Sequence, residues 1–195
     1  MSWLELIGAL VSVLAVWLTT RRRPIAFPIG LLSVMMYVKI FVDAKLYSDA
    51  LLQVAFGGLI IYGWVRWLKH LNPDGRVRIA PLPRRNAIVA LVLGLAGALA
   101  LGFVMHRWTD AALPWLDAAL TSFSLVAQWW QDRRHTAAWW LWIVVDVIYV
   151  GEYIYKSLQI TAVLYALFVV LAIIGLRHWQ KAATQGSPTL QPRQA

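Results

Sequence analysis

The chain has 195 residues, 61% apolar and only 14% charged, with a mean hydropathy of +0.63. Soluble domains run nearer half apolar and a quarter charged, and here the apolar residues gather in spans of about 20, the bilayer-crossing length, so a soluble globular fold is excluded. The formal net charge of +9 does not describe a nucleic-acid binder, because the arginines stand in short clusters between apolar spans, and with no cysteine, disulfides and thiolate metal sites are excluded too.

Seven helices are predicted, over about residues 3–20, 25–42, 48–68, 86–105, 115–131, 137–155 and 159–178. The first has no basic segment ahead of it and ends in Arg21-Arg22-Arg23, which reads as a retained helix rather than a cleaved signal. Asn72-Pro73-Asp74-Gly75 is a turn sequence with proline at its second position, so residues 69–85 are expected to form a basic loop. The fourth helix is rich in Gly and Ala, with Gly94, Gly97 and Gly102. Pro114 suits the first turn of the fifth helix, and residues 181–195, rich in Gln, Pro and Ser, are expected to be a disordered tail.

The chain repeats itself. Residues 46–67, LYSDALLQVAFGGLIIYGWVRW, fall without a gap on residues 158–179, LQITAVLYALFVVLAIIGLRHW, at an offset of 112. Leu46, Ala50, Leu52, Phe56, Leu59, Ile61, Gly63 and Trp67 all meet identical residues. The same offset places Trp3-Leu4 on Trp115-Leu116, Ser12 on Ser124, Ala15 on Ala127, Trp17 on Trp129 and Arg21-Arg22 on Arg133-Arg134. The fourth helix has no counterpart. Each unit crosses the bilayer an odd number of times, so one extra crossing keeps the copies parallel. The fold class is therefore all-α integral membrane, with seven transmembrane helices in a 3+1+3 parallel repeat. Its parts are a first triple-helix bundle over 1–68, a basic loop and linker helix over 69–112, a second bundle over 113–180, and the tail over 181–195. Of the 18 Lys and Arg, 14 fall on one side of the membrane, all but Lys39, Lys45, Arg107 and Lys156, which puts the N-terminus outside and the C-terminus in the cytoplasm.

Most of the tryptophans need no function. Trp3, Trp64, Trp67, Trp108, Trp115, Trp139, Trp140 and Trp179 lie near helix ends, where an aromatic belt is expected. His70, His106, His135 and His178 fall at interfaces or in loops. No metal-ligand spacing, nucleophile elbow or phosphate loop occurs, so neither a metal nor a cofactor is expected. The sixth helix is different. Asp146 stands at its middle, where a carboxylate is costly unless paired or hydrated. Helical spacing puts Trp142, Tyr149 and Tyr153 on its face, a combination that suits a flat organic cation. Packing against a neighbouring helix is the bland alternative for Asp146. Gln53 in the third helix, with Tyr165 as its repeat counterpart, and Gln128 in the fifth call for hydrogen-bond partners from a ligand or from a neighbouring helix. Ser33 and Ser124 carry weaker signals. Glu152 and Lys39, toward the outer ends of their helices, fit an ion pair or snorkelling better than a coupling-ion site.

The segments LYSDALLQ…YGWVRW, LDAALTSFSLVAQWWQDRR, WWLWIVVDVIYVGEYIYK and LYALFVVLAIIGLRHW resemble the PnuC family of bacterial vitamin transporters, over roughly residues 3–180. The resemblance implies a SWEET-like fold, a homotrimer in the bacterial inner membrane, and facilitated diffusion of nicotinamide riboside followed by cytosolic phosphorylation. It carries the family's helix-three glutamine onto Gln53 and the tryptophan of its Trp-x-x-x-Asn motif onto Trp142. Two departures touch the expected pocket: Asp146 replaces the motif's asparagine, and Ser33 stands where asparagine is common. Thiamine, also cationic, and then neutral riboflavin are the alternative substrates. Proton coupling through Asp146 or Glu152 is a second mechanism, and a membrane enzyme or a structural subunit is the reading from another class. The expected substrate site is Gln53, Gln128, Trp142, Asp146, Tyr149, Tyr153 and Tyr165.

Overall fold

The computed structural model describes residues 3–43, 47–109 and 112–185. Its helices are α1 Trp3–Thr20, α2 Ala26–Asp43, α3 Tyr47–Leu68, α4 Arg84–Trp108, α5 Pro114–Asp132, α6 Ala137–Tyr155 and α7 Gln159–Gln185. All seven expected helices are present, with Pro114 in the first turn of α5. The expected tail is shorter than its composition suggested. Lys181–Gln185 continue α7, because the chain meets no helix breaker before Gly186. The remainder of that tail, 186–195, lies outside the described residues.

Six helices are long and apolar enough to cross a membrane; α5 is the exception. It carries Asp117, Thr121, Ser122, Ser124, Gln128, Gln131 and Asp132, and its neighbours explain how. α4, α6 and α3 all pack on it, and Ser122, Ser124, Gln128 and Asp132 are among its buried residues. A helix enclosed by other helices can carry polar groups that a lipid-facing helix cannot. α4 lies close against it because Gly97 and Gly102 leave room for Ser122 and Trp115.

Within the halves, α1–α2–α3 and α5–α6–α7 pack in sequence; across the halves, α1 meets α7 and α3 meets α5. The 112-residue offset reappears in the contacts themselves. The Trp67 indole N–H donates to the Gln131 carbonyl at 3.2 Å, and Trp179, its counterpart, donates to the carbonyl of Thr19, the counterpart of Gln131, at 3.1 Å. Phe27 meets Trp67 edge-on, with centroids 4.8 Å apart, as Trp139 meets Trp179 at 5.5 Å. Arg21 lies over Trp17 at 5.2 Å and Arg133 over Trp129 at 4.4 Å. Arg22 and Arg134 both take a left-handed backbone, with φ of 59° and 67°.

Three of the tryptophans expected in an aromatic belt are instead core. Trp67, Trp139 and Trp179 are 0%, 1% and 0% exposed, whereas Trp3, Trp108, Trp115 and Trp140 are exposed as a belt requires. Trp64 is half-buried and packs against the same core. Nearness to a helix end does not tell an inward face from an outward one.

The buried rings close the basic end of the molecule. Phe27, Trp67, Trp139 and Trp179 form one cluster, and Val77 of the α3–α4 loop enters it, fully buried. That loop begins with the expected turn, in which Gly75 N donates to Asn72 O at 2.9 Å, with a φ of 71° at Gly75. It is then stitched to both halves in the same way. Arg22 Nη1 donates to Val77 O at 3.1 Å and Arg134 Nη1 to Arg78 O at 3.0 Å. Val77 N and Ala80 N answer by donating to Arg22 O and Arg134 O, each at 3.0 Å.

Candidate substrate site

Asp146 is the tenth of the nineteen residues of α6, and its side chain is buried at 5% exposure. Among the described residues no Lys, Arg or His forms an ion pair with it. One and two turns further along, Tyr149 and Tyr153 stack with centroids 5.7 Å apart and planes within 14°. Tyr165 of α7 closes the group, 4.8 Å from Tyr149 and 4.9 Å from Tyr153. Phe168 meets Tyr165 edge-on at 5.6 Å. Tyr165 stands near Asp146, and the Tyr149 phenol faces Thr121 and Ser124 of α5. The second half thus brings one carboxylate and three phenol rings together in a helix interior. Ring faces and a negative charge at this spacing match a flat organic cation, and phenol hydroxyls can accept or donate to its hydroxyl groups.

The other expected residues are distributed differently. Trp142 lies one turn toward the basic end, where its indole N–H donates to Gln131 Oε1 at 3.0 Å. Gln128 is buried, and its Nε2 donates to Asp132 Oδ1 at 2.8 Å, within α5. Gln53 is half-buried on α3, in the other half of the molecule, and no hydrogen bond joins it to the tyrosine group among the described residues. Ser33 serves the first half, its Oγ 2.6 Å from Ser12 Oγ and 3.2 Å from the Gly8 carbonyl it donates to. Glu152 is paired with Lys156 on its own helix, and Lys156 also reaches Asp117 of α5 at 3.0 Å. Lys39 pairs with Asp43, one turn along α2, at 2.9 Å.

Gln131, Asp132, Asp117 and Lys156 were not singled out from the sequence, whereas Glu152, for which an ion pair was one expectation, is paired with Lys156. Asp132, before two arginines at a helix end, reads as a solvated cap; burial is what makes it unusual. Two surface hollows, of about 320 and 460 Å³, open on α3 and on the α2–α3 pair. Neither is lined by Asp146, Tyr149, Tyr153 or Tyr165.

The family model described as nicotinamide mononucleotide transporter matches residues 2–181. The chain belongs to that family. It is a multi-pass membrane transporter of the class that takes small vitamin-like molecules. Nicotinamide riboside transporter PnuC of Escherichia coli (strain K12) is 25% identical over 95% of this chain and 88% of its own length. The riboflavin/roseoflavin transporter RibM of Streptomyces davaonensis is 24% identical over 91% of this chain and 84% of its own. The crystal structure of the vitamin B3 transporter PnuC superposes with a TM-score of 0.79 at 23% identity, covering 95% of this chain and 84% of that one. That likeness shows the fold.

Proposed function

We propose that this protein takes up nicotinamide riboside across the bacterial inner membrane by facilitated diffusion, with no enzymatic step of its own. The observation that carries the reading is Asp146, buried with no ion-pair partner among the described residues, on the same helix as the stacked Tyr149 and Tyr153, which Tyr165 joins. A pyridinium ring supplies the missing positive charge and a flat face for the phenols, and the ribose supplies hydroxyls. The nicotinamide riboside transporters among its relatives agree with that substrate class. Asp146, Tyr149, Tyr153 and Tyr165 would hold the pyridinium. Trp142, Gln128 and Gln53 would line the route as the two triple-helix halves rock against each other in alternating access. The arginine-rich end, closed here by Phe27, Trp67, Trp139, Trp179 and Val77, would face the cytoplasm. A homotrimer is the expected assembly, and cytosolic phosphorylation would trap the substrate.

Thiamine and riboflavin are the alternative substrates, riboflavin because a riboflavin/roseoflavin transporter matches nearly the whole chain. An isoalloxazine would stack on the same tyrosines but would leave the carboxylate uncompensated. Thiamine, a cation, comes before it on charge alone. Thermal stabilisation of the purified protein by the three vitamins, side by side, discriminates among them. A ligand at about 100 times its Kd stabilises by roughly 2.7 kcal/mol. The expected result is a shift with nicotinamide riboside that Asp146→Ala abolishes. A shift with riboflavin alone, retained in Asp146→Ala, would refute the cation site.

A further inference from the structure

We propose that Asp132 is a second carboxylate on the substrate's route, a cation-selecting residue at the basic end that receives the positively charged ring when α3 and α5 part. The inference rests on the cationic substrate proposed above. Asp132 is the last residue of α5 and is fully buried. Its Oδ1 accepts the Gln128 hydrogen bond at 2.8 Å, while Oδ2 is buried with no hydrogen-bond partner among the described residues. Across from it stands Gly63, whose missing side chain lets the α3 backbone press against the carboxylate. A carboxylate held this way is expensive, because its second oxygen has surrendered water and gained nothing.

Stability gives no reason for that expense. The repeat counterpart of Asp132 is Thr20, equally buried at 0% exposure, and its hydroxyl donates to Trp17 O at 2.7 Å. The fold therefore needs only a small polar residue there. The second half carries a charge beyond that need, and it is the half that carries Asp146. Location supplies the reason. Asp132 lies roughly 14 Å of helix from the level of Asp146, toward the hairpin that joins α5 to α6. Arginines crowd this end, including Arg66, Arg133 and Arg134, whose side chains all have buried Nε atoms with no hydrogen-bond partner among the described residues. Asp74, in the α3–α4 loop, is already engaged with Arg76 at 3.7 Å. A cation released from Asp146 toward this end meets a repulsive belt, and an uncommitted carboxylate at its threshold lowers that barrier. In the closed arrangement the Gly63 backbone covers the carboxylate. Separation of α3 from α5 uncovers both at once, so the site forms as the exit opens.

The test uses the full chain in proteoliposomes. Initial uptake of nicotinamide riboside and of its neutral dihydro form would be compared for the wild type, Asp132→Asn and Asp132→Thr. The asparagine keeps the shape and can still bond Gln128; the threonine copies the solution at Thr20. Thermal stabilisation by nicotinamide riboside reads binding separately. The expected outcome is unchanged stabilisation with a cation-to-neutral uptake ratio lowered about tenfold, a barrier change of about 1.4 kcal/mol. Equal loss for both substrates would make Asp132 a structural part of the closure and overturn the proposal, as would no loss for either. Wild-type vesicles that move neither substrate would overturn the functional reading, and this proposal with it. If the threonine variant does not fold, the asparagine variant carries the same comparison.

Discussion

Replacing Gly175 with alanine tests whether the buried tryptophans set the spacing of α6 and α7. A Cβ built at Gly175 would lie 2.6 to 2.7 Å from three atoms of the Trp139 indole, well inside ordinary contact. The ring has nowhere to retreat, being 1% exposed and backed by Trp179 at 5.5 Å. Gly58 is the internal control: a Cβ there meets nothing within 4 Å. Both substitutions gain the same helix propensity, about 1 kcal/mol. That gain cancels in the comparison, and the difference between them is the overpacking cost alone, about 1–3 kcal/mol. Fluorescence-detected melting in detergent should rank Gly58→Ala at or above the wild type and Gly175→Ala below both. In a Trp139→Leu background the penalty at position 175 should largely vanish, since contacting residues couple. Equal melting temperatures for the two alanine variants would refute the packing argument, and so would a penalty that survives removal of the indole.

Three further outcomes follow from the same geometry. Trp67→Phe and Trp179→Phe each remove the indole donor from a helix-end carbonyl, of Gln131 or Thr19, which keeps only the backbone N–H of Arg134 or Arg22. Each should cost about 0.5–1.5 kcal/mol in melting experiments for the lost hydrogen bond, with similar values because the contacts are matched; the double variant should fall short of their sum, the rings being 5.7 Å apart. Lys156→Met leaves Glu152 buried beside Asp117. With the lysine side chain 27% exposed, the loss should be about 1–3 kcal/mol rather than the full cost of a broken buried pair, and adding Glu152→Gln should recover most of it. His135, outside the spans, is held below the usual imidazole range by burial, opposed by its hydrogen bond to the Ala80 carbonyl and reinforced by Arg133, Arg134 and Arg66. Above pH of about 6.5 both folded and unfolded forms are neutral there. As pH falls below that, the unfolded chain takes up the proton first and stability declines until the folded pKa is passed. Melting at pH about 7.5 and about 5.5 should therefore show a smaller acid loss in His135→Asn than in the wild type.

The candidate site was partly legible in advance. Asp146, Tyr149 and Tyr153 share a face by helical spacing alone, which is a local property, and the structure stacks those tyrosines as the spacing required. Tyr165 entered as the repeat partner of Gln53 and proved to belong with the α6 tyrosines instead. Gln128 was expected to seek a ligand or another helix; its partner is Asp132, one turn away on α5. Nothing in the sequence marks Asp132 as buried, because an acid before two arginines at a helix end looks like an exposed cap.

The sequence by itself determined the seven helices, their apolar lengths, and the repeat at an offset of 112. These follow from composition and periodicity, which act over one helix at a time. Only the tertiary structure decided which face of each helix end turns inward. It took Trp67, Trp139 and Trp179 out of the lipid belt and into one cluster. It also drew the basic α3–α4 loop under that cluster, fastened to both halves by Arg22 and Arg134. A tryptophan at a helix end lowers its free energy equally well at a lipid headgroup or against another ring. Which it does depends on the partner brought to it, and that partner is more than a hundred residues away in the chain for Trp179 and Thr19.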